Sequence, residues 1–541
     1  MKADLTRNTF DPLNRYSAVL MQQGRVQLDA DWNEQHAIVL YYLRRLCADL
    51  IGPHGGPGAH TGFAISPLRL GTEQTGDFRI GAGSYYVDGI LCELASASLT
   101  LTERAVNGGQ LRVQVPALML DGIAFRVDQF VEVFDGGVPP ASPPFPPSLA
   151  RISSIDSTHR LLTLQGAISG LTPPRVLKLR RVASYRGQSD YPVPSASQLP
   201  EGVHQVYLDV WERHISYIED DSMREVALGG PDTATRAKVV WQVKLASPCR
   251  RADGAAPTCC TADELAERFN PASAARLKAR ARRETAATDP CIVRPDARYR
   301  GAENQLYRVE VHTGGVAGSA TPPTFKWSRD NGSVAFPIVS GGGTAILTLE
   351  TLGRDERFGL RPGDWVAVEA DDSVLRNLAP PLLQVEAVDR IALTVTLSGP
   401  APELDADGAG HPLLRRWDHQ QGDRGENGLE IEDDGAARIV EHTSAWMHLE
   451  DGLEIQFQPG EPGAGPAEYR TGDYWLIPAR TATGDVEWPT EPDAAGQPMP
   501  LALPPDGIVH HYAPLSVITV DAAGNVQDDP TDCRRIFEPL A

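Results

Sequence analysis

The sequence predicts a mainly β, multi-domain protein, built of β barrels or sandwiches with one clear N-terminal helix and a few short ones. Three observations carry that expectation. At 541 residues the chain is longer than the ~250–300 residues at which a single core stops growing. From Phe78 onward, short runs of β-formers such as HQVYLDVWERHISYIED, AKVVWQVKLAS, NQLYRVEVH and YWLIPAR are punctuated by Gly, Pro and Asp. Sustained helical spacing of apolar residues occurs early, in one stretch after Asp29.

That stretch is QLDADWNEQHAIVLYYLRRLCADLIG, giving a helix over about 31–51. Asp29 or Asp31 supplies the N-cap oxygen, and Ala37, Leu40, Tyr41, Leu43, Leu46, Cys47 and Leu50 form one apolar face. An amphipathic helix draws most of its stability from burial, so this face is expected against a neighbouring sheet or subunit. Trp32, Tyr41 and Tyr42 are the large aromatics that anchor interfaces, although packing within their own chain is an equal alternative. HGGPG at 54–58 reads as the helix stop.

Next, FRIGAGSYYVDGILCEL predicts a hairpin turning at Val87-Asp88-Gly89. In FKWSRDNGSVAFPIV, Asn331-Gly332 suits a type I′ turn and predicts another. Residues 125–168 and 360–401 form a weak repeat: an entry strand, an acidic turn, a second strand, a polar turn after Asp156 or Asp389, and a third strand. The expected organisation is an N-terminal region 1–110, an inserted barrel 111–185, a β framework 186–345 with a Cys-containing loop segment 249–300, a second inserted barrel 346–403, and a C-terminal β region 404–541 completing the framework. TADELAERF predicts a short helix, and the basic run Arg276 to Arg283 reads as a solvated helix face.

With 71 acidic against 50 basic residues and a formal charge of −21, the chain repels phosphate backbones, so no nucleic-acid partner is expected. No apolar run reaches the ~20 residues of a membrane span, and the start MKADLTRNTFDP lacks a signal-peptide core, so synthesis in the cytoplasm without membrane insertion is expected.

Motifs that carry chemistry are weak. HGGPG resembles an oxyanion-hole loop, yet no G-x-S-x-G elbow accompanies it. DADWNE opens like a calcium loop, but Glu34 and Leu40 stand where Gly and a bidentate Glu belong. The acidic turns near Asp220, Asp371 and Asp433 read as solvated turns. Cys249, Cys259, Cys260 and Cys291 lack paired C-x-x-C spacing, so disulfides or buried thiols are expected rather than zinc, with Cys259 and Cys260 bridging outward to Cys249 and Cys291. Cys47, Cys92 and Cys533 stand alone. His442, His448, His510 and His511 lack metal-motif spacing and read as core or interface histidines. No catalytic residue, cofactor or metal site is expected.

Several long segments together resemble a bacterial family encoded in gene clusters for extracellular contractile injection systems, which are headless phage-tail-like particles. These are MQQGRVQLDADWNEQHAIVLYYLRRLCADLIGPHGGPG, VYLDVWERHISYIEDDSMREVALGGPDTATRAKVVWQVKL, NQLYRVEVHTGG, FKWSRDNGSVAFPIV, YRTGDYWLIPARTATGDVEWP, IVHHYAPLSVI and DCRRIFEPL. GRVQLDADWNE with its helix and hairpin is also similar to the attachment part of some phage tail-fibre proteins. The resemblance implies a structural or accessory particle component at the baseplate periphery: a fibre, fibre adaptor or cage-like extension. It implies injection-particle proteins as partners, and homo-oligomers of three- or six-fold symmetry suit such machines. The alternatives are a cargo or effector protein, or a carbohydrate-binding module carried by the particle. Lysis, or anchoring in the cell, would account for a particle role without a signal peptide.

Overall fold

A computed structural model describes residues 1–95, 97–107, 110–120, 123–136, 147–166, 176–191, 198–249, 257–282, 299–355, 357–404, 410–422, 428–460, 467–493 and 496–538. The fold is mainly β, with a closed barrel, several open sheets and three α-helices among the described residues. It divides into two compact units, residues 1–40, 212–238 and 272–509, and residues 41–211, 239–271 and 510–541.

The first unit is centred on two sheets sharing one core. One contains Gln305–Val311 between Thr324–Ser328 and Tyr474–Arg480, and the other pairs Arg276–Ala281 with Leu453–Gln458. Their apolar faces meet through Leu277, Phe457, Tyr307, Phe325, Trp327 and Trp475. The basic run at 276 is therefore a strand, not the expected solvated helix face. Leu277, Ala279 and Ala281 alternate inward, and the intervening Arg280 binds Glu454 and lies over Trp446. Period-two burial overrode a helix-compatible composition.

Asn331 and Gly332 do take positive φ, 53° and 68°. They do not join a hairpin, because Thr324–Ser328 pairs within the sandwich whereas Ala335–Ser340 belongs to the barrel. Asn331 is fully buried, donating to the carbonyls of Met1 and Ala3 and accepting from Arg308. The turn that reads as a hairpin tip is a packed junction.

The barrel of this unit runs Ala335–Ser340, Ile346–Leu349, Thr394–Leu397, Leu383–Asp389, Trp365–Glu369, Leu413–Trp417 and back to the first strand. Its circuit thus takes flanking strands from outside 346–403. In the second unit the segment Leu99–Thr100 and Glu103–Asn107, Gln110–Gln114, Leu161–Gln165, Ser148–Asp156, Phe130–Asp135 and Leu177–Arg181 follow the same strand order. The closing strand is interrupted there, yet Leu101 N donates to Leu177 O and Thr102 N to Gln114 O, so its middle still bonds to both neighbours. The repeat read from sequence lies inside these circuits. Each has a register shift beginning four residues before its aspartate, at Ile152 and Val385. In each turn the aspartate accepts backbone N–H bonds, and a residue four further on, Arg160 or Leu393, takes positive φ.

The second unit also holds the hairpin Gly83–Val87 and Ile90–Leu94, with Asp88 and Gly89 at φ 46° and 76° as a two-residue turn needs. The late apolar run forms His511–Val520, paired with Gly202–Ile215 and buried along most of its length.

In the first unit, Glu310 sits wholly inside the protein, where an unpaired carboxylate would be untenable. Arg308 Nε lies 2.6 Å from its Oε2, while Lys2 and Lys326 lie 3.3 and 3.4 Å from Oε1. Burial alone would raise its pKa, but these three cations hold it well below the usual carboxylate range. Lys2 also reaches Glu369, which Arg415 binds at 3.0 Å. Both lysines lie over the Trp417 ring, at 5.4 and 4.4 Å from its centre. Replacing Glu310 with alanine strands these cations, and the expected loss is about 3–5 kcal/mol of stability, read as a lower unfolding midpoint in denaturant. A midpoint unchanged from wild type would show that the network contributes nothing.

Candidate interaction surface

Helix α1 (Asp29–Ile51) begins where acidic side chains meet the free amides of its first turn. Asp29 does not open a calcium loop. Its carboxylate accepts from Thr6 N at 2.9 Å and Thr6 Oγ1 at 2.6 Å, and these bonds outweigh partial burial to hold its pKa below the ordinary value. Glu34 accepts from Thr9 Oγ1 at 2.6 Å, and Gln35 Oε1 accepts from Val19 N at 2.8 Å. These contacts tether the N-terminal arm to α1.

The helix stops at Gly52, not at HGGPG. Gly52 adopts φ 94°, its N–H donates to Ala48 O at 2.8 Å, and a Cβ there would strike Arg535. His54–Pro57 is instead a strand between Gly83–Val87 and Ile536–Phe537. Gly56 N and Gly58 N are committed to the carbonyls of Arg535 and Phe537, which removes those amides from oxyanion duty. Gly56 is required by contact, since a Cβ would lie 2.6 Å from Thr61 and 3.0 Å from Tyr85. His54 Nδ1 is 2.8 Å from the Tyr85 hydroxyl, and burial lowers the imidazole pKa to about 4.

In its 23 residues α1 buries two side chains, Ala30 and Ile38. Trp32, Tyr41 and Tyr42 are 59%, 41% and 49% exposed, and Leu40, Leu43, Leu46 and Leu50 are exposed too. The apolar face expected to pack therefore meets solvent. The arm before it, missed in the sequence, is equally bare: of residues 11–29 all but Val19 are exposed, including Leu13, Tyr16, Leu20, Met21, Val26 and Leu28. Fourteen of the thirty-one exposed large hydrophobics among the described residues lie between Leu13 and Leu50. Such concentration makes this stretch the candidate interaction surface, unlike scattered single exposures. The signal in the arm was six large apolar residues with no sheet or helix pattern to bury them.

The cysteines pair as Cys249–Cys260 and Cys259–Cys533. The first matches the outward bridging expected of Cys260. The other expected outward partner, Cys291, lies outside the described residues, and Cys259 bonds instead to Cys533, which stands alone in the sequence. A separation of 274 residues hides such a pairing from local reading. Cys249, Cys260 and Glu264 are close enough to face one ion, but the sulfurs are bonded to each other. Glu264 is also committed, to the capping box of helix α2 (Ala262–Phe269), accepting from Thr261 N at 2.7 Å. This is a poor ligand set for zinc.

The acidic turns spend their oxygens internally. Asp220 caps Ser222, and Asp434 accepts from Thr313, Thr324 and Ala436 N. Asp371 binds Arg213 at 2.5 Å and His411 Nδ1 at 2.7 Å. Three of the histidines likewise have structural partners: His510 with Asp209, His511 with Asp88, and His448 with Glu454; His442 donates its backbone N–H to Phe457 O. Asp209 also accepts from Lys244 at 2.7 Å.

A family model described as a family of unknown function, DUF6519, matches residues 1–108, 184–257 and 255–539. The chain belongs to DUF6519. Residues 109–183, which hold most of the interrupted barrel circuit, lie outside the DUF6519 match, whereas the closed barrel lies inside it. No curated protein and no solved structure matches the chain.

Two outcomes follow from this chemistry. The Cys259–Cys533 bridge closes a far longer loop than Cys249–Cys260, and the chain-entropy cost rises with loop length, about 3 kcal/mol for 15 residues and 4.7 for 100. The double variant Cys259→Ser/Cys533→Ser is therefore expected to lower the thermal midpoint more than Cys249→Ser/Cys260→Ser, and the reverse order would overturn the pairing. At the other pair, the bond to Asp371 raises the His411 pKa above its ordinary value despite partial burial, and Asp371 is lowered by His411 and Arg213 against its own burial. A raised histidine stabilises fully below its unfolded pKa, about 6.5, and loses that contribution as pH rises through the folded value. A lowered aspartate loses its contribution as pH falls through its folded value. The stability difference between wild type and His411→Ala, followed by thermal melts from pH 4 to 9, is thus expected to be largest in the mildly acidic range and to shrink towards pH 9. A difference independent of pH would exclude the ion pair.

Proposed function

We propose that this protein is a non-catalytic building block of a phage-tail-like contractile injection particle, set at the baseplate periphery as a fibre, fibre adaptor or cage-like extension. One observation carries the reading: α1 and the arm before it expose a continuous run of large apolar side chains that their own chain leaves uncovered. A soluble monomer has no use for such a surface, whereas an assembled particle covers it. The resemblance of GRVQLDADWNE, the helix and the following hairpin to fibre-attachment regions agrees with attachment through this end. The two disulfides suit a particle that works after release into an oxidising medium. Assigning the polar clusters to caps, ion pairs and strand pairing leaves a structural role as the more economical account of them.

The test is purification of particles from a strain carrying the surrounding gene cluster, with Trp32, Tyr41 and Tyr42 replaced together by serine. Wild-type chain is expected to cosediment with particles at fixed stoichiometry, and the triple variant, still folded by circular dichroism, to remain in the supernatant. Wild-type chain absent from the particles, or present in variable lumenal amounts, would overturn the reading. Removing residues 1–52 is a poorer test, because Lys2 and the Met1 and Ala3 carbonyls belong to the buried network.

A further inference from the structure

The exposed residues of α1 are not scattered around the helix. Trp32, Val39 and Leu46 recur every seven residues, and His36, Leu43 and Leu50 recur every seven between them, so the stripe advances by alternating steps of four and three. All six are exposed, with Trp32, Val39, Leu43, Leu46 and Leu50 between 55% and 62% or so placed. Ala30 and Ile38 are buried, and Glu34, Ala37, Arg44 and Ala48 are half-buried, on the other side. The helix thus has one face for its own chain and a second, separate seam left open.

A stripe at this spacing suits packing on a sheet or on another helix, and against another helix slight supercoiling to 3.5 residues per turn keeps it facing its partner. We propose that α1 pairs with α1 of identical copies of this chain in a parallel, three-stranded coiled coil. This names the occupant of the surface on which the particle reading rests.

Three features favour a second and third copy over an unrelated helix. The residues flanking the seam are Asn33, Leu40 and Cys47 on one side and Gln35, Tyr42 and Asp49 on the other. Only Asp49 is charged, and Arg45 of the same helix lies 3.4 Å from it. The charge pattern by which coiled coils select a different partner is therefore missing, while a chain of net charge −21 can approach its own copies along a neutral seam. Exposed Leu40 and Tyr42 widen the apolar band beyond what a two-stranded seam covers, and β-branched Val39 opposite Leu43 departs from the two-stranded pattern. Parallel, in-register strands let the aliphatic Leu43, Leu46 and Leu50 layers each meet themselves; an antiparallel pair would set Leu50 against Trp32.

The experiment is light scattering and sedimentation of the purified full-length protein outside any particle. The expected mass is three times the 58.5 kDa of one chain. Leu43→Glu with Leu46→Glu is expected to reduce it to one chain mass with unchanged circular dichroism, and Ile391→Glu, in an exposed turn away from α1, to leave it threefold. Val39→Cys, oxidised without reductant, is expected to cross-link neighbouring copies, as in-register strands require. Wild type at a single chain mass, or the double variant at wild-type mass, would overturn the inference. A single-mass wild type that still cosediments with particles would overturn it and leave the particle reading standing; a threefold species absent from particles would support it and remove that reading.

Discussion

A fully buried carboxylate is tolerable only when several cations surround it, and Glu310 sets that condition for the first unit. Arg308 from its own strand, Lys326 from the neighbouring strand and Lys2 from the N-terminus meet on it. Lys2 and Lys326 also share the face of Trp417, which ends a barrel strand, and Arg415 of that strand ties Glu369 into the group. Burial lowers the Lys326 pKa to about 8 even with Glu310 beside it, so the network tolerates little loosening. Sandwich, barrel and the first residues of the chain are thus bound to one electrostatic centre. Because Lys2 is held there and Asp29 grips Thr6, the arm that follows starts from a fixed place.

The two six-strand circuits show how one local design serves twice. Each aspartate-led turn, at Asp156 and Asp389, has its positive-φ residue four positions later and its register shift starting four positions earlier. These features bend the strands and raise their twist, which curls a short sheet towards closure. Ala335–Ser340 completes the ring, whereas the corresponding segment breaks after Thr100. The family match spans the closed barrel and omits residues 109–183, which hold most of the interrupted circuit.

How much of this could be read from residues alone depended on how local the deciding interaction was. The Asp88-Gly89 hairpin, the short TADELAERF helix and the turns after Asp156 and Asp389 are each settled within a few residues, and all are legible in the sequence. Arg276–Ala281 was misread because arginine and alanine suit a helix, while the Leu453–Gln458 strand that claims them lies more than 170 positions away. His54–Pro57 was misread for the same reason: its partners come from residues near 86 and 536. Cys533 and the buried role of Asn331 also depend on segments hundreds of residues distant. Trp32, Tyr41 and Tyr42 were picked out by residue type, but their exposure depends on what the remaining chain fails to cover.

That failure is the informative part of α1. A 23-residue helix that buries Ala30 and Ile38 gains little from its own chain, and helices in proteins draw most of their stability from tertiary packing. Its capping contacts with Thr6, Thr9 and Val19 position it without covering it. The molecule carries a net charge of −21, whereas the exposed stripe of α1 holds no charged side chain and its apolar residues repeat with a helix's period. On the coiled-coil proposal, covering the seam adds burial to a helix that Thr6, Thr9 and Val19 already hold in place.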